Sequence, residues 1–443
     1  MKRIIIIFSL FLFVLITYSQ DLNWSPHTTI SSSSDGYGRP RVVLTSNNNP
    51  LIIWRKDNTP KVLRASKWNG TGFSAPYDIL SPGILPSSWD GPEIASKGDT
   101  VYVVFTSTAT SQSSIMMIKS FDGGYTFSDT IRVSENNSAH KFRMANIAVN
   151  SDGNPVVSYM QYLINWMEPK QIVNTSNDFG NTFNGQVEGS LMSPGEPCDC
   201  CKSSLVTSGN DIFLLYRNNE NNIRNSYLSK STDGGMNFTL ASELDDYNWI
   251  LNSCPATTPR GVVLEDSLVI VKRSGATGNN EIVLNTVSMQ DLNYSYNFNI
   301  DYVNGALQDH PEIANNKDTI IVVWKDNRHG MQNCYMSYST EGPNWINGSI
   351  AFTDSSTIGH KFDPDVAFAN KDIHLVYLDY SQYKIVYVKA SFGTINSLNN
   401  TKINAKNKVK IYDILGRESK DKKNQILIYM HENGVVEKRV LVD

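Results

Sequence analysis

The fold is decided by a short stretch in the middle of the chain, Ser231-Thr232-Asp233-Gly234-Gly235-Met236-Asn237-Phe238. The same pattern, Ser-x-Asp-x-Gly-x-(Thr/Asn)-Phe, returns at Ser120–Phe127 and at Ser176–Phe183. Its Asp can cap backbone N–H groups, its Gly can take a positive φ, and its aromatic residue can pack beneath the turn, which together predict the tip of a β-hairpin. Three copies predict a protein built from similar β-units.

A second element recurs ahead of these stretches. It is a strand that opens on Pro or a small residue, followed by a turn and a second strand that usually ends in an aromatic residue. The spacing of roughly 50 to 60 residues is typical of propeller blades. Short β-rich runs between Gly, Asn and Asp turns, with no helical period, predict an all-β fold with four strands per unit. The seven units open at Arg39, Gly91, Phe142, Asp199, Cys254, His310 and Asp363.

The repeated stretch resembles the Asp-box of the sialidase superfamily, which implies a β-propeller. Sialidase catalytic domains have six blades, so six and seven both stay open here, with seven favoured by the number of units. The last unit supplies only three strands, ending at Lys384–Lys389, and the segment Trp24–Ser31 is similar to Phe127–Ser134. We therefore predict that an N-terminal strand completes the last blade and closes the ring, which removes exposed sheet edges.

The two ends of the chain differ from the predicted propeller, residues 21–393. Lys2-Arg3 followed by the apolar run Ile4–Ile16 predicts a secretory signal peptide over residues 1–20, with a membrane anchor as the alternative. A polar linker, 394–407, precedes a C-terminal segment, 408–443. Its Tyr412-Asp413-Ile414-Leu415-Gly416-Arg417 motif resembles the C-terminal sorting domain of type IX secretion, a small β-sandwich. The resemblance implies contact with the outer-membrane secretion machinery of a Gram-negative bacterium and a secreted or cell-surface protein; a small accessory β-domain is the alternative.

Composition excludes several classes of protein. With 40% hydrophobic and 19% charged residues and a net charge of −4, the chain is typical of a soluble globular protein, and nucleic acid is not an expected partner.

Export would place the five cysteines in an oxidising compartment, where disulfides are the usual state. The Cys-x-Cys-Cys and Cys-Pro elements resemble those of a subgroup of sialidase-like proteins. Both a disulfide brace at the openings of the fourth and fifth blades and a soft-metal thiolate site stay open, and the disulfide candidates are Cys198, Cys200, Cys201 and Cys254.

Candidate functional residues lie where the inner strands open, because side chains from every blade converge there. The resemblance to sialidases implies three arginines that hold a substrate carboxylate, a carboxylic acid as general acid/base and a tyrosine nucleophile. The catalytic candidates are Arg39, Arg217, Arg273, Arg328, Asp90 and Tyr380, with Tyr216 as a second candidate nucleophile. The candidates for substrate binding are Arg41, Glu93, Asp309, His310, Glu312 and His360.

Three functions are consistent with these residues. The first is a secreted sialidase-like protein that binds glycans or glycoproteins and hydrolyses a terminal acidic sugar. The second is a non-catalytic propeller that recognises a surface glycan or protein. The third is a metal-dependent surface protein that uses the cysteines. The leading hypothesis requires neither cofactor nor metal, and we expect a monomer.

Overall fold

The computed structural model of this 443-residue chain describes residues 22–57, 60–80, 86–87, 90–108, 113–343, 348–354, 356, 358–393, 409–413, 417–420, 426–431 and 436–440. The predicted signal peptide and the predicted linker lie outside this described part. The chain divides into a unit Leu22–Phe392 and a second unit that contains the C-terminal strands. Neither of the two short 3₁₀ helices among the described residues, Ser33–Asp35 and Ser46–Asn48, is long or apolar enough to cross a membrane.

The unit Leu22–Phe392 is a seven-bladed β-propeller, counted over the described residues, and each blade is an antiparallel sheet. Two strands precede the first complete blade, β1 (Leu22–Trp24) and β2 (Thr28–Thr29). Blades 1 to 3 comprise β3 (Gly38–Thr45), β4 (Asn49–Lys56), β5 (Val62–Lys67) and β6 (Tyr77–Asp78); β7 (Glu93–Lys97), β8 (Thr100–Ser107), β9 (Ser114–Ser120) and β10 (Ile131–Arg132); and β11 (His140–Val149), β12 (Pro155–Leu163), β13 (Lys170–Thr175) and β14 (Val187–Glu188).

In every blade the strands run in sequence order from the axis outward, apart from β15 of blade 4 and the N-terminal strands that complete blade 7. Blade 4 has one additional short strand, β15, which pairs with β17. Blades 4 and 5 comprise β15 (Glu196–Pro197), β16 (Ser204–Ser208), β17 (Asp211–Asn219), β18 (Ser226–Ser231) and β19 (Leu240–Glu243); and β20 (Arg260–Leu264), β21 (Ser267–Ser274), β22 (Glu281–Ser288) and β23 (Tyr294–Asn299). Blades 6 and 7 comprise β24 (Asp309–Asn316), β25 (Thr319–His329), β26 (Met331–Ser339) and β27 (Ile350–Ala351); and β28 (Lys361–Ala369), β29 (Asp372–Asp379) and β30 (Lys384–Phe392).

The N-terminal strands close the ring, as predicted. Strand β2 pairs with β30 at Thr28 and Tyr387, and β1 pairs with the same strand at Leu22 and Phe392. The inner strands of successive blades contact one another around the whole circle, and β28 of the last blade contacts β3 of the first. The expectation of seven blades rather than six is therefore confirmed.

The predicted hairpin tips are confirmed and lie between the third and fourth strands of blades 2, 3 and 4. In blade 4, Asp233 Oδ1 accepts hydrogen bonds from the backbone N–H groups of Met236 and Asn237, each at 2.9 Å. Gly235 has a φ of 89°, and a Cβ there would lie 2.8 Å from Thr175 of the preceding blade. The glycine is thus required both by the turn and by the close approach of the neighbouring blade.

The core consists of apolar layers between adjacent blades. The second strand of each blade is packed on both faces, so its side chains are buried without alternation, as in Leu51–Trp54 of β4 and Ile320–Trp324 of β25. This explains why these strands are continuous apolar runs in the sequence. The apolar side chains on both faces of these second strands pack against the neighbouring blades and hold adjacent blades together.

The C-terminal strands β31 (Val409–Asp413), β32 (Ile426–His431) and β33 (Val436–Val440) form an antiparallel sheet in the order β31-β32-β33. Residues 414–416 of the predicted sorting motif lie outside the described part. The predicted β-sandwich and its role in secretion therefore stay predictions.

Candidate functional site

A cavity of about 380 Å³ lies at the end of the propeller axis where the inner strands open. Six of the seven blades contribute to its wall, and its described lining combines cationic, acidic and small residues. A second cavity, of about 200 Å³, lies on the axis and shares three of these residues, Arg41, Arg260 and Glu312. The first cavity, called the axial pocket below, is lined by Arg39, Arg41, Asp90, Met144, Cys200, Lys202, Ala256, Thr258, Arg260, His310, Pro311 and Glu312.

The backbone positions these side chains through bulges at the openings of the inner strands. The register of the inner strand shifts around Arg39, Met144 and His310, and each of these residues has a positive φ, between 47° and 62°. Such a conformation costs a non-glycine residue about 1–3 kcal/mol and persists only where the surrounding structure holds it. In blade 2 the corresponding residue is Gly91, whose Cβ would lie 2.5 Å from Arg39 Cδ. The bulges therefore direct side chains toward the axis at the expense of local strain.

One residue from each blade forms what we call the axial ring, at the second cavity. Each member is polar and is followed in the sequence by Val, Ile, Leu or Gly, and these following residues also line the second cavity. Backbone amides connect neighbouring members: Leu205 N donates to Asn146 Oδ1 at 3.1 Å, and Val42 N donates to Asp365 Oδ2 at 2.8 Å. The members of the axial ring are Arg41, Glu93, Asn146, Ser204, Arg260, Glu312 and Asp365.

Glu93 is the centre of an ion-pair network. Its carboxylate lies 3.1 Å from Arg41 Nε, 2.8 Å from Lys202 Nζ and 3.4 Å from Arg260 Nη2. Burial alone would raise the pKa of Glu93, but the positive charges of Arg41, Lys202 and Arg260 outweigh burial and hold the pKa well below its ordinary value. Arg260 also donates to Glu312 Oε1 at 2.9 Å. The charges of Arg41 and Arg260 are thus balanced by carboxylates of the protein.

Asp365 has the opposite electrostatic behaviour. Burial raises its pKa to about 7, and Glu312 and Glu93 add to the increase although Arg41 opposes it. The axial ring therefore contains one carboxylate that is held ionised and one carboxyl group that is protonated in part at neutral pH.

Asp90 lies in the wall of the axial pocket. Its Oδ2 accepts hydrogen bonds from Met144 N at 2.7 Å and from Thr106 Oγ1 at 2.5 Å, so it ties blade 2 to blade 3. Its Oδ1 is buried and has no hydrogen-bond partner in the described part of the chain. Lys202 Nζ donates to the backbone carbonyl of Asp90 at 2.8 Å. The Asp90 carboxyl group therefore contributes to the site by holding the pocket wall together.

The structure brings together only some of the predicted site residues. Of the catalytic candidates, Arg39 and Asp90 line the axial pocket; of the binding candidates, Arg41, His310 and Glu312 line it and Glu93 belongs to the axial ring. No tyrosine is among the described residues that line either cavity.

The other predicted arginines have separate partners. Arg217 is buried, donates to the backbone carbonyl of Arg273 at 2.8 Å and lies over the ring of Trp249. Arg273 pairs with Asp309 at 2.9 Å. Arg328 pairs with Asp326 and Asp301, and its guanidinium lies over the Tyr335 ring. None of these three arginines lines the axial pocket.

The remaining candidates lie away from the pocket wall. Tyr380 is half-exposed and packs edge-on against Phe362 and Tyr383, while His360 stacks on Phe362. Tyr216 is buried and hydrogen-bonds Ser229 Oγ at 3.0 Å.

Sequence reasoning missed Arg260 as a member of the axial ring. The fifth unit was aligned on Cys254-Pro255, but its inner strand begins at Arg260. The pattern of a polar residue followed by Val, Ile, Leu or Gly, which the units share, would have found it. Lys202 lies next to the cysteine cluster, and its contacts with Glu93 and with the Asp90 carbonyl, together with its place in the pocket lining, mark it as part of the site.

The cysteines form the brace that was one of the two predicted alternatives. Cys200 of the blade 4 opening is disulfide-bonded to Cys254 of the connection into blade 5. Cys198 and Cys201 are buried thiols. The sulfur atoms of Cys198, Cys200 and Cys201 lie within 4.8 Å of one another, the one cysteine group in the described part with spacing suited to a metal. Because Cys200 is oxidised, only two of these sulfurs are free to act as thiolate ligands, fewer than the four of structural zinc sites.

No family model matches the chain, and no curated protein matches it. Among solved structures, a protein of unknown function from Dyadobacter fermentans is similar with a TM-score of 0.52 and 10% identity, over 84% of this chain and 99% of that one. A Hadza microbial sialidase has a TM-score of 0.49 and 13% identity, over 74% and 68% of the two chains. An α-L-arabinofuranosidase of Fusarium graminearum has a TM-score of 0.49 and 15% identity, over 71% and 98%. At these identities the likeness shows the fold alone.

Proposed function

We propose that this chain is an exported propeller that binds an acidic glycan in its axial pocket. The observation that carries the proposal is the convergence of both charge signs on one cavity: the cations Arg39 and Lys202 and the carboxylate of Asp90 share its wall. Cations favour the carboxylate of an acidic sugar, because charged hydrogen bonds to a carboxylate are stronger than neutral ones.

Recognition is better supported than hydrolysis by the tyrosine mechanism. That mechanism needs a tyrosine beside the arginines, and the described lining of the axial pocket contains none. Three arginines do meet at the axis, Arg39, Arg41 and Arg260, but Arg41 and Arg260 are engaged by Glu93 and Glu312. We assign Arg39, which lines the pocket, to ligand binding. The cations that pair with Glu93 or Glu312 are assigned to holding the site: Arg41, Lys202 and Arg260.

Hydrolysis by a pair of carboxyl groups is the second candidate function. The observation that favours it is Asp365, whose pKa of about 7 suits a general acid, on the same axis as Glu312. Under this alternative the ligand's glycosidic oxygen has to reach the axial ring.

Binding is tested by isothermal titration with 3′-sialyllactose and with lactose, which lacks the carboxylate. We expect the acidic sugar to bind at least tenfold more tightly, and Arg39→Ala to weaken its binding by about 10- to 100-fold, as expected for loss of a charged hydrogen bond. The matched control is Arg64→Ala, an arginine paired with Asp35 and Asp78 on blade 1. Equal affinity of the two sugars, or equal effects of the two variants, would contradict the proposal.

Turnover is tested separately with a fluorogenic sialoside and a panel of fluorogenic glycosides. Release of the fluorophore by wild type and its loss in Asp365→Asn would support the hydrolase. Binding without turnover supports recognition. We further propose that residues 1–20 direct export, that the C-terminal segment engages the type IX machinery, and that the mature protein is a secreted or surface-attached monomer. Mass spectrometry of culture fractions tests the location of the protein and whether residues 1–20 have been removed from it.

A further inference from the structure

Four cysteine sulfurs form a continuous series beside the axial pocket. The disulfide Cys200–Cys254 is accessible, because Cys254 is exposed and Cys200 lines the pocket. Beneath it, Cys198 Sγ lies 3.5 Å from Cys200 Sγ and 3.0 Å from Cys201 Sγ. Both of these thiols are fully buried. A buried pair of thiols is thus in contact with a surface disulfide.

Two buried arginines lie near the Cys198 sulfur, and one of them contacts it. Arg224 Nη1 donates to Cys198 Sγ at 3.4 Å, and its Nε donates to the backbone carbonyl of Leu251. Arg217 donates to backbone carbonyls. In the described part of the chain, neither guanidinium forms an ion pair with a carboxylate. Because a buried cation without a counter-charge is costly, the cluster favours a thiolate at Cys198.

The behaviour of the two thiols agrees with this charge distribution. The hydrogen bond with Cys201 lowers the pKa of Cys198 to about 7, with smaller contributions from Arg224 and Arg217, although burial acts in the opposite direction. Burial holds the pKa of Cys201 well above its ordinary value. The thiolate is the nucleophile in disulfide exchange, so Cys198 is the attacking sulfur and Cys201 the second one.

We propose that this cluster is a thiol–disulfide exchange site in which the Cys198 thiolate attacks Cys200 Sγ. The Cys198–Cys200 bond forms as the Cys200–Cys254 bond breaks, and the electron pair leaves on Cys254, which takes a proton from solvent. Cys201 then attacks Cys198, forms the Cys198–Cys201 disulfide, and its proton passes to the departing Cys200. One disulfide and two thiols are present throughout, so no external oxidant or reductant is needed.

Exchange would change the wall of the axial pocket. Cys254 belongs to the connection that leads to Ala256 and Thr258, and both of these residues line the pocket. Its release would detach that connection from the opening of blade 4 and expose two thiols at the surface. The proposal does not depend on the ligand of the pocket.

The experiment is native alkylation followed by peptide mapping without reduction. Trypsin places Cys198, Cys200 and Cys201 in peptide 171–202 and Cys254 in peptide 231–260, so the disulfide of the structure joins two peptides. The folded protein is held at pH 8 with a maleimide present throughout, which captures each released Cys254. We expect the joined pair to be replaced over time by a labelled 231–260 and a separate 171–202 that carries an internal disulfide.

Variants separate exchange from simple opening of the disulfide. Cys198→Ser is expected to slow labelling of Cys254 at least tenfold. Cys201→Ser is expected to label Cys254 but to stop at a Cys198–Cys200 disulfide. Cys334→Ser removes the third buried thiol, which lies in blade 6, and is expected to behave as wild type. Melting curves establish that each variant is folded. A wild-type protein whose Cys254 stays unlabelled, or labelling of equal rate in Cys198→Ser, would overturn the proposal.

Discussion

The axial pocket and the outer hairpin tips both recur from blade to blade, but they differ in what recurs. The tips repeat the same contacts: in blades 2, 3 and 4 the Ser hydroxyl accepts a hydrogen bond from the backbone N–H of the Gly four residues later, and the Asp carboxylate accepts one from the N–H of the Thr or Asn four residues later. At the axis the backbone bulge repeats while the side chain changes, as in Arg39, Met144 and His310. Constant chemistry at a repeated position indicates a role within each blade. Varied chemistry at a repeated position indicates a site that the blades build together.

The largest expected loss of stability comes from a change in the axial ring. Glu93→Gln removes the carboxylate that Arg41, Lys202 and Arg260 share, and leaves buried cations without their partner. We expect the free energy of unfolding to fall by about 3–5 kcal/mol, measured by guanidinium denaturation at pH 7.5. The control Glu188→Gln, which breaks a partly exposed pair with Lys170, should cost about 1 kcal/mol or less. If both variants lowered the free energy of unfolding by the same amount, the ion pairs at the axis would not be more stabilising than those at the outer edge of the blades.

Asp365 is expected to make the stability depend on pH. Its folded pKa of about 7 lies above the unfolded value of about 3.9, so its contribution to stability is fully present below about pH 4 and is lost as the pH rises toward 7. The free energy of unfolding should therefore fall by up to about 1.4 kcal/mol per pH unit between pH 5 and pH 6.5 from this group. Asp365→Asn should lack this slope in urea denaturation at a series of pH values, whereas the rim variant Asp372→Asn should retain it. An unchanged slope in Asp365→Asn would show that the group does not titrate in this range.

A hairpin tip should contribute to stability without affecting the pocket. Asp233→Ala removes the acceptor for Met236 N and Asn237 N, and we expect a loss of about 1–2 kcal/mol in thermal or urea denaturation. Affinity for 3′-sialyllactose should stay within twofold of wild type. Thr232→Ala, at the exposed neighbouring position, should change stability by no more than about 0.5 kcal/mol. A loss of glycan affinity in Asp233→Ala would contradict the assignment of the tips to blade structure.

The smallest effect is expected for a rim ion pair. Arg64 pairs with Asp35 at 2.6 Å and with Asp78 at 2.8 Å, and both carboxylates are partly exposed. Arg64→Ala should cost about 1 kcal/mol or less, and the cost should decrease in 1 M salt, in contrast to Glu93→Gln. Both variants should be measured at low salt and in 1 M salt. A larger loss of unfolding free energy in Arg64→Ala than in Glu93→Gln would contradict the prediction that the axial ion pairs are the more stabilising.

Prediction from the sequence succeeded where the determinants are local. The hairpin tip needs Ser231, Asp233 and Gly235 within five residues, so its turn was predictable from the pattern alone. The pairing of Thr28 with Tyr387 was predictable because the N-terminal segment is similar to the fourth strand of another unit. The arginines were predicted less well. Arg217, Arg273 and Arg328 each lie in the second strand of a blade, after its apolar run, and sequence position does not tell which arginines point to the axis.

The sequence by itself determined the all-β class, the repeat of seven units, the closure by the N-terminal strand and the cysteine-rich openings of blades 4 and 5. Each of these depends on residues that are near in the chain or on similarity between its parts. Only the tertiary structure decided that Arg41, Glu93, Lys202 and Arg260 meet, and that Cys200 rather than Cys198 or Cys201 is bonded to Cys254. These residues come from different blades, and the distances between them are set by closure of the ring and by the bulge at each opening. Neither is encoded in the spacing of any single unit.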